Sequence, residues 1–533
     1  MATLSPAATL PRRRRRFWFI AFAIGFLIGA AIGCYFISAN WPYRYRKIRP
    51  LLEDDLASQV EVTSYHRTYF PHPGFVATGL TLFRKTALDL PPFGHAEKMV
   101  VQGRWRDLFL LQQRVMTVEV TGLHIVIPPI GSRANRKNFP PGSSSDFTGP
   151  DTAVEMFKFH NTVLEIMKND GRRLIFPIRE LDLAHFEKNQ AVNYSVDMQN
   201  PIPSGRIQAR GTFGPLNAKQ IGVTPVSGNF TFTTVNLHDV GNIAGILASQ
   251  GQFRGPLEAI EAQADSLTPN FSVDDGKPTR IAASVQCTVN GTNGDVAIHN
   301  IEAHTGKTTV HAIGAVQGSP DQNFSGKVSN FDIVVQAGRA EDVLRPFIHD
   351  DVPISGSVWL RSHAYLAPTG EGGGFLHRLR VGGTFDVPAE RVADRNTEKR
   401  LTDFSQRAQA KKAPDPAEDA DRGSSAATDV LSAVKGPAQI RDGIASSQHL
   451  TFNIPGAQAD LSGTFNFHNK VVHLVGNLRM DTDISHTATG FKSFLLKPLA
   501  PFFKKKKAGA LVPIAVTGSP GHYQVNQDIL HKE

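Results

Sequence analysis

The sequence predicts a mainly β protein, in which one transmembrane helix near the N-terminus is followed by an elongated antiparallel sheet. Three observations support this fold class. The 533 residues include 46 glycines and 34 prolines but only 20% charged residues, a composition that favours strands broken by many turns over a helical bundle. Residues 17–37 carry no charge, and most of the remaining chain is a succession of short alternating runs.

Positive charge is concentrated in two short runs. Lys and Arg number 57 against 48 Asp and Glu, and Arg12 to Arg16 together with Lys504 to Lys507 account for the whole excess. A nucleic-acid-binding protein spreads its cations over a face. We therefore interpret the two runs as membrane signals and expect no nucleic-acid partner.

The first 37 residues predict a membrane anchor. The five arginines should hold residues 1–16 in the cytoplasm, and residues 17–37, at about 1.5 Å per residue, span roughly 30 Å of hydrocarbon as one transmembrane helix. A cleaved signal peptide, a lipoprotein site at Gly33-Cys34 and a twin-arginine signal are alternatives that fit less well. The sequence thus predicts a single-pass anchor.

Residues 38–390 predict the main β region, which we expect to be translocated across the membrane. Asn169-Asp170-Gly171 separates two alternating runs and is a strong hairpin signal, because these residue types tolerate positive φ. A recurring unit indicates repeated strands at irregular spacing: a glycine or other small residue, one or two residues, an aromatic residue or Val, and then a turn. The unit occurs at Gly211–Phe213, Gly251–Phe253, Gly314–Val316, Gly356–Val358, Gly383–Phe385 and Gly463–Phe465.

The clearest hairpin runs from Leu461 to Met480. A turn at 468–470 would pair Phe465 with Leu474 and Gly463 with Gly476 across the two strands. Two facing glycines remove side-chain volume, either because another element packs closely there or because a ligand needs the room. The candidate groove-lining residues on the apolar face are Leu461, Phe465, Phe467, Leu474 and Leu478.

Residues 391–425 interrupt the β pattern. Their first part is charged and helix-compatible, and their second part is polar and proline-interrupted, which predicts a helical and then flexible linker. Residues 426–533 predict a C-terminal β region with a basic amphipathic segment. That segment either lies on anionic lipid or forms a lid that closes the last strands. The lid is favoured because Leu511 to Val516 soon resumes a strand pattern. The membrane-surface candidates are Phe491, Phe494, Phe502, Phe503, Lys504, Lys505, Lys506 and Lys507.

No catalytic or metal-binding motif is recognisable. Gly306-Lys307-Thr308 resembles the end of a phosphate loop, but Ile301 stands where that motif requires its first glycine, so a hairpin turn is the better interpretation. The 19 histidines form no HExxH motif and no Cys/His cluster, and no Gly-x-Ser-x-Gly elbow occurs. We therefore expect no enzymatic activity, no cofactor and no metal.

Several glycine-rich apolar stretches together resemble a known family. They are 245–260, Thr268–Phe271 and Val289–Asp295 in the centre, and Phe452–Gly456, Gly490–Pro498 and Val512–Gly518 near the C-terminus. With the N-terminal anchor, these stretches resemble the AsmA-like proteins, which are inner-membrane-anchored envelope proteins of diderm bacteria. The resemblance covers most of residues 17–525. It implies a folded-over sheet with an apolar inner groove, and a role in moving phospholipid between the two membranes or in outer-membrane homeostasis.

The predicted function is therefore non-enzymatic. We expect a single-pass protein of the bacterial inner membrane with its bulk in the periplasm, where the apolar groove guides phospholipid by shielding acyl chains from water. Its expected partners are phospholipid, the inner membrane and outer-membrane components. The alternative is an envelope assembly scaffold that uses exposed β edges and binds no lipid.

Overall fold

The computed structural model describes residues 41–55, 58–84, 91–109, 114–129, 153–168, 171–187, 189–217, 220–241, 243–273, 276–319, 326–349, 354–368, 374–392, 432–480, 511–519 and 524–527, with 28, 29, 31, 35, 352 and 405 as isolated positions. Within these residues the protein is mainly β, and 24 strands form one large elongated sheet. The predicted mainly β class is confirmed at this level.

The strands and helices are numbered along the described chain. The strands are β1 (Ser58–Thr68), β2 (Gly74–Arg84), β3 (Gly94–Gln102), β4 (Arg114–Thr121), β5 (His124–Ile127), β6 (Ala153–Met167), β7 (Arg173–Phe186), β8 (Val192–Pro201), β9 (Ser204–Phe213), β10 (Pro225–Asn236), β11 (Ile243–Ala244), β12 (Ile246–Pro256), β13 (Ile260–Val273), β14 (Thr279–Val289), β15 (Val296–Thr305), β16 (Thr308–Gly318), β17 (Lys327–Arg339), β18 (Ile354–Leu366), β19 (Leu379–Val392), β20 (Ser432–Arg441), β21 (Ile444–Ile454), β22 (Ala457–Asn466), β23 (Val471–Met480), β24 (Leu511–Gly518) and β25 (Gln524–Gln527). The α-helices are α1 (Tyr45–Asp55), α2 (Trp105–Phe109), α3 (Ala340–Leu344) and α4 (Phe375–Arg378), and short 3-10 turns lie at Ile221–Val223, Leu237–Val240 and Arg345–Phe347.

The spatial order of the strands follows the chain almost throughout. From β6 to β10, and again from β12 to β25, each strand pairs antiparallel with the next, and β10 pairs directly with β12. The two-residue β11 pairs with β13 instead. Most of these strands are therefore joined by local hairpins, as the many turn residues of the sequence predict, while longer segments separate β19 from β20 and β23 from β24.

The sheet is mixed, and in this respect the predicted antiparallel sheet is wrong. Strands β4 and β5 both lie parallel to β6. They are two halves of one extended run, separated at Gly122, where φ is +66°, and both also pair antiparallel with β3. The chain therefore crosses over between β5 and β6 instead of forming a hairpin, and a parallel pair requires such a crossover.

Local sequence patterns predict most of the strands correctly. The hairpin expected at Asn169-Asp170-Gly171 joins β6 to β7, and Gly171 has a φ of +82°. All six of the predicted glycine–x–aromatic or glycine–x–Val units lie within strands, namely β9, β12, β16, β18, β19 and β22. These units therefore mark repeated strand chemistry, as predicted.

The sheet continues across the segment predicted as a linker. Strand β19 ends at Val392 and pairs with β20, which begins at Ser432. The predicted linker 391–425 lies outside the described residues, apart from its first two residues and Ser405. The Ser405 hydroxyl donates a hydrogen bond of 2.7 Å to the Pro455 carbonyl oxygen at the β21–β22 turn. The β region before the segment and the one after it thus belong to the same sheet.

The predicted register of the Leu461–Met480 hairpin is wrong by two residues. Phe465 pairs with Val472, and Gly463 pairs with Leu474. The alternation of faces is as predicted, since Leu461, Phe465 and Leu474 share one face. The two glycines do not face each other, because Gly476 pairs with Leu461.

The turn of this hairpin explains the shift in register. The Asn466 side-chain oxygen accepts hydrogen bonds from the backbone N–H groups of His468 (2.9 Å) and Asn469 (3.4 Å). Phe467 is thereby drawn into the turn, and its N–H donates to the Gly443 carbonyl oxygen at 3.0 Å in the neighbouring turn. The turn is longer than predicted because an Asn side chain replaces ladder hydrogen bonds with local ones.

The predicted transmembrane helix 17–37 lies outside the described residues, except for the isolated positions Ile28, Gly29, Ala31 and Tyr35. In the part of the chain that the structure describes, no helix is both long and apolar enough to cross a membrane. The described chain resumes at Trp41, which is fully buried and packs on Tyr69 and Trp105 with ring centroids 4.6 and 5.7 Å away.

Candidate functional site

The central part of the sheet, from β9 to β17, presents one continuous apolar face. Cross-strand pairing aligns the apolar side chains in rows that run perpendicular to the strands. One row consists of Ala209, Phe230, Gly251, Ala264, Val285, Ile301, Ala312 and Ile333. A second row consists of Gly211, Gly228, Phe253, Ala262, Cys287, Ile298, Gly314 and Phe331. We call this surface the central face.

From β9 to β14 the opposite surface of the same strands is polar, whereas from β15 to β17 it also carries apolar residues such as Ile313. The residues that alternate with the first row are Arg210, Asn229, Gln252, Gln263 and Gln286, and all of them are exposed. In β12 every second residue is exposed and those between are half-buried. This alternation defines one wet and one apolar side of the sheet.

The central face is apolar but is not packed as a core. Among the described residues, buried apolar side chains form clusters elsewhere, at β1–β4 and β6, at β17–β19 and at β21–β24. Between them, most residues of the central face are only half-buried, and Phe230, Phe253 and Val285 are examples. An antiparallel sheet normally covers its apolar face with a second layer. The described residues of the central strands lack the packed cluster that such a layer would produce.

Aromatic rings lie over glycines on this face. Strands β10 and β12 each carry Gly-x-Phe, and antiparallel pairing places Phe230 opposite Gly251 and Phe253 opposite Gly228. The two rings are tilted, with centroids 6.2 Å apart. The Phe230 ring lies low over Gly251, because its edge occupies the space where a Cβ of that glycine would stand. The Phe331 ring lies over Gly314 in the same way on β16 and β17.

Two titratable side chains lie in or beside these rows, the Cys287 thiol and the Tyr194 hydroxyl. Tyr194 extends the second row at β8, and its hydroxyl reaches the Ser227 carbonyl oxygen at 3.4 Å. Burial raises the pKa of Tyr194 and of the Cys287 thiol, so both are neutral at pH 7. A neutral, apolar surface of this kind suits hydrocarbon and offers no group for acid–base chemistry.

The sequence-predicted groove candidates lie on and between β22 and β23, away from the central face on β9 to β17. Leu461 and Leu478 belong to the packed cluster at β21–β24, and Leu474 packs against it. Phe465 and Phe467 contact each other edge to face, with centroids 5.1 Å apart. The structure thus places all five near one hairpin but puts two of them in a close-packed core.

The remaining sequence-predicted candidates cannot be placed. The membrane-surface residues from Phe491 to Lys507 lie outside the described residues. Within the described part of the chain, no group of three or more His, Cys, Asp or Glu side chains could hold a metal ion.

The central face was missed at the sequence level, although its signal was present. The Gly-x-Phe unit taken singly predicts only a strand. Two such units in consecutive antiparallel strands, Gly228–Phe230 and Gly251–Phe253, would have predicted reciprocal pairing of Phe with Gly. The incomplete burial of the face could not be predicted, because it depends on what the rest of the chain leaves uncovered.

Known proteins do not identify the chain. A comparison with profiles of protein families gives no match, and a comparison with curated proteins gives none either. The resemblance to AsmA-like proteins therefore stays a prediction, and the functional argument rests on the central face.

Proposed function

We propose that the protein is a membrane-anchored periplasmic protein that guides phospholipid between the inner and outer membranes, or supports outer-membrane homeostasis, through an apolar groove. The central face is the wall of that groove. The observation that carries the proposal is a continuous apolar face, eight strands wide, whose side chains are half-buried without forming a packed cluster.

The dimensions of the face suit acyl chains. At about 4.8 Å between neighbouring strands, the eight strands from β9 to β17 without β11 extend over roughly 34 Å. Each methylene removed from water on such a surface is worth about 0.8 kcal/mol. Because rows of apolar side chains continue from strand to strand, a chain can move along the sheet without crossing a polar barrier.

The mechanism is passive shielding. The phenyl rings of Phe230 and Phe331 lie low over Gly251 and Gly314, so the wall stays smooth where upright rings would obstruct it. The polar face opposite keeps the outside of the sheet in water. No bond is made or broken.

A matched pair of variants tests the proposal. Ala264 lies in the first row of the central face, and Gln263 is its exposed neighbour on the polar face. The full-length protein is purified in detergent, and the bound phospholipid per chain is counted by mass spectrometry. Ala264→Asp should lower the count several-fold, because an unpaired carboxylate is strongly disfavoured among acyl chains.

Gln263→Asp introduces the same residue on the opposite face and should leave the count unchanged. Lipid around the membrane anchor is common to both variants and cancels. Circular dichroism of each variant verifies that it is folded. If wild type and Ala264→Asp carry equal phospholipid, the groove is refuted and an assembly scaffold that binds no lipid is the remaining candidate.

A further inference from the structure

The sheet splits between β7 and β8. These two strands pair from Ala184 and Asn193 only as far as Ile178 and Met198. Beyond this point β7 continues to pair with β6, and β8 continues to pair with β9. Pro177 follows the last paired position toward the open end and has no N–H to donate to the ladder. The two hairpin ends therefore diverge.

A cleft of about 300 Å³ lies at this split, lined by residues of β6, β7, β8 and β9. Two irregularities shape it. Asn161 of β6 has a φ of +53°, and Arg179 opposite it is an extra residue in the pairing of β7 with β8. The alternation of both strands shifts here, so that Thr162 and Ile178 share the apolar side with Met198.

The lining of the cleft changes character from one side of the sheet to the other. Its apolar side carries Ile178 and Met198, which pairs with Ile207 in continuation of the apolar surface toward β9. Its polar side carries Arg179, Asp197, Gln199 and Arg206. A cleft that joins an apolar and a polar surface fits an amphiphile better than it fits a purely polar or purely apolar ligand.

A buried hydroxyl at the cleft has no partner. Thr162 is 6% exposed, and its Oγ1 forms no hydrogen bond within the described residues. Buried polar groups are nearly always hydrogen-bonded, and an exception calls for an explanation. Because Thr162 lines the cleft, a polar group of a ligand placed there would supply the missing bond.

The charges at the mouth favour an anionic group. Arg206 binds Asp197 with two hydrogen bonds, of 2.9 Å from Nε and 2.5 Å from the terminal nitrogen, so this pair neutralises itself. Arg179 is exposed in the bulge and forms no close ion pair with a described residue, although its charge, after that of Arg206, helps to lower the pKa of Asp197. The lining thus retains one positive charge on its polar side, across the cleft from the apolar side that carries Thr162.

We propose that the split between β7 and β8 is a lateral portal of the groove, where an amphiphile with a phosphate-bearing headgroup enters or leaves. The phosphate binds Arg179 and accepts a hydrogen bond from Thr162. The acyl chains pass Ile178 and Met198 onto the apolar face. This portal rests on the proposed lipid-guiding function and adds the place and the headgroup chemistry of exchange.

Two photoactivatable phospholipid analogues test the portal, one with its diazirine beside the phosphate and one with it at the end of an acyl chain. Each is irradiated with the full-length protein, and the labelled peptides are mapped by mass spectrometry. The headgroup probe should label peptides containing Arg179, Gln199 or Arg206. The tail probe should label the strands of the central face.

Three variants give the test its specificity. Arg179→Gln should lower labelling by the headgroup probe several-fold. It should leave labelling of the central face by the tail probe unchanged. Thr162→Val has nearly the same shape and should also lower headgroup labelling, without loss of folded protein. Arg254→Gln is the control, because Arg254 is 82% exposed on the polar face of β12 and lies outside the cleft lining.

The outcomes separate the portal from the groove. Tail labelling of the central face without headgroup labelling at the split refutes the portal and leaves the groove intact. Absence of labelling by both probes refutes both. Inorganic phosphate is added as a competitor: if phosphate alone abolishes headgroup labelling at concentrations equal to those of the lipid, the cleft is a free-anion site and not a portal.

Discussion

Phe230 of β10 and Gly251 of β12 are directly paired, and Cε1 of the Phe230 ring lies 2.9 Å from the point where a Gly251 Cβ would stand. The ring therefore occupies space that the glycine leaves open. The reciprocal backbone pair is Gly228 with Phe253, but the space over Gly228 is taken by the Tyr194 hydroxyl, 2.8 Å from the point where a Cβ would stand. Side chains of the central face thus fill the room that both glycines leave open.

Substitution of Gly251 should destabilise the protein. A Cβ there would overlap the Gln263 carbonyl oxygen and press on the Phe230 ring, and overpacking of this kind costs about 1–3 kcal/mol. The control is Gly382→Ala, because a Cβ at Gly382 meets nothing within 4 Å, and its free energy of unfolding should change by less than about 0.5 kcal/mol. Urea unfolding of the two variants measures the difference, and equal stabilities would contradict the close ring contact.

The C-terminal cluster should behave as a close-packed core. Leu478 is 7% exposed among Leu461, Met480 and Val512, so Leu478→Ala should cost about 2–5 kcal/mol. Leu511→Ala is the matched control, since Leu511 is 54% exposed on the adjacent strand. Unfolding midpoints measure both. An unchanged unfolding midpoint for Leu478→Ala would mean that this hairpin also presents an open face, which is the groove alternative of the sequence analysis.

The hairpin also indicates how far sequence patterns reach. The faces of Leu461 and Leu474 follow from alternation, and the structure agrees. The register does not follow, because it depends on Asn466 accepting backbone hydrogen bonds within the turn. Likewise, nothing local in β4 or β6 indicates that the two strands are parallel, since the crossover between them is a matter of tertiary packing.

Local sequence patterns also do not predict that the central face is left uncovered. Phe253 and Leu478 both occupy apolar positions of alternating strands, and local sequence does not distinguish them. Leu478 is buried because β24 and the β21–β22 hairpin complete a cluster around it. Phe253 stays half-buried because the described residues build no comparable cluster over β12.

Cys287 provides a chemical probe of the central face. Burial raises the pKa of its thiol above the ordinary value of 9.0, and the thiolate is the reactive form. In a Cys34→Ser background, alkylation by N-ethylmaleimide at pH 8 should be slow, and its rate should keep rising as the pH increases beyond 9. A short-chain phospholipid should slow the reaction further.

The control for this experiment is Ala297→Cys in a background with both native cysteines replaced by Ser, because Ala297 is exposed on the opposite surface of the neighbouring strand. The introduced thiol should be alkylated faster than Cys287, and the phospholipid should not change its rate. Equal rates for the two thiols, or equal protection by lipid, would contradict the placement of Cys287 on an apolar, lipid-accessible face.

The predicted topology rests on the 21-residue uncharged segment behind five arginines. A reporter that is active only in the periplasm, fused after Glu533, should be active, and the full-length protein should sediment with the membranes. A cytoplasmic reporter at the same position is the control and should be inactive. Release of a shortened soluble form would overturn the anchor.

In the proposed groove, hydrocarbon occupies one face of the central sheet and water occupies the other. A photo-crosslinking amino acid placed at Phe253, on the apolar face, or at Gln252, on the polar face, tests this in living cells, since the two positions are neighbours in β12. After irradiation, mass spectrometry of the purified protein should find phospholipid adducts at position 253 and few or none at 252. Equal adducts at the two positions, or none at 253, would contradict the account.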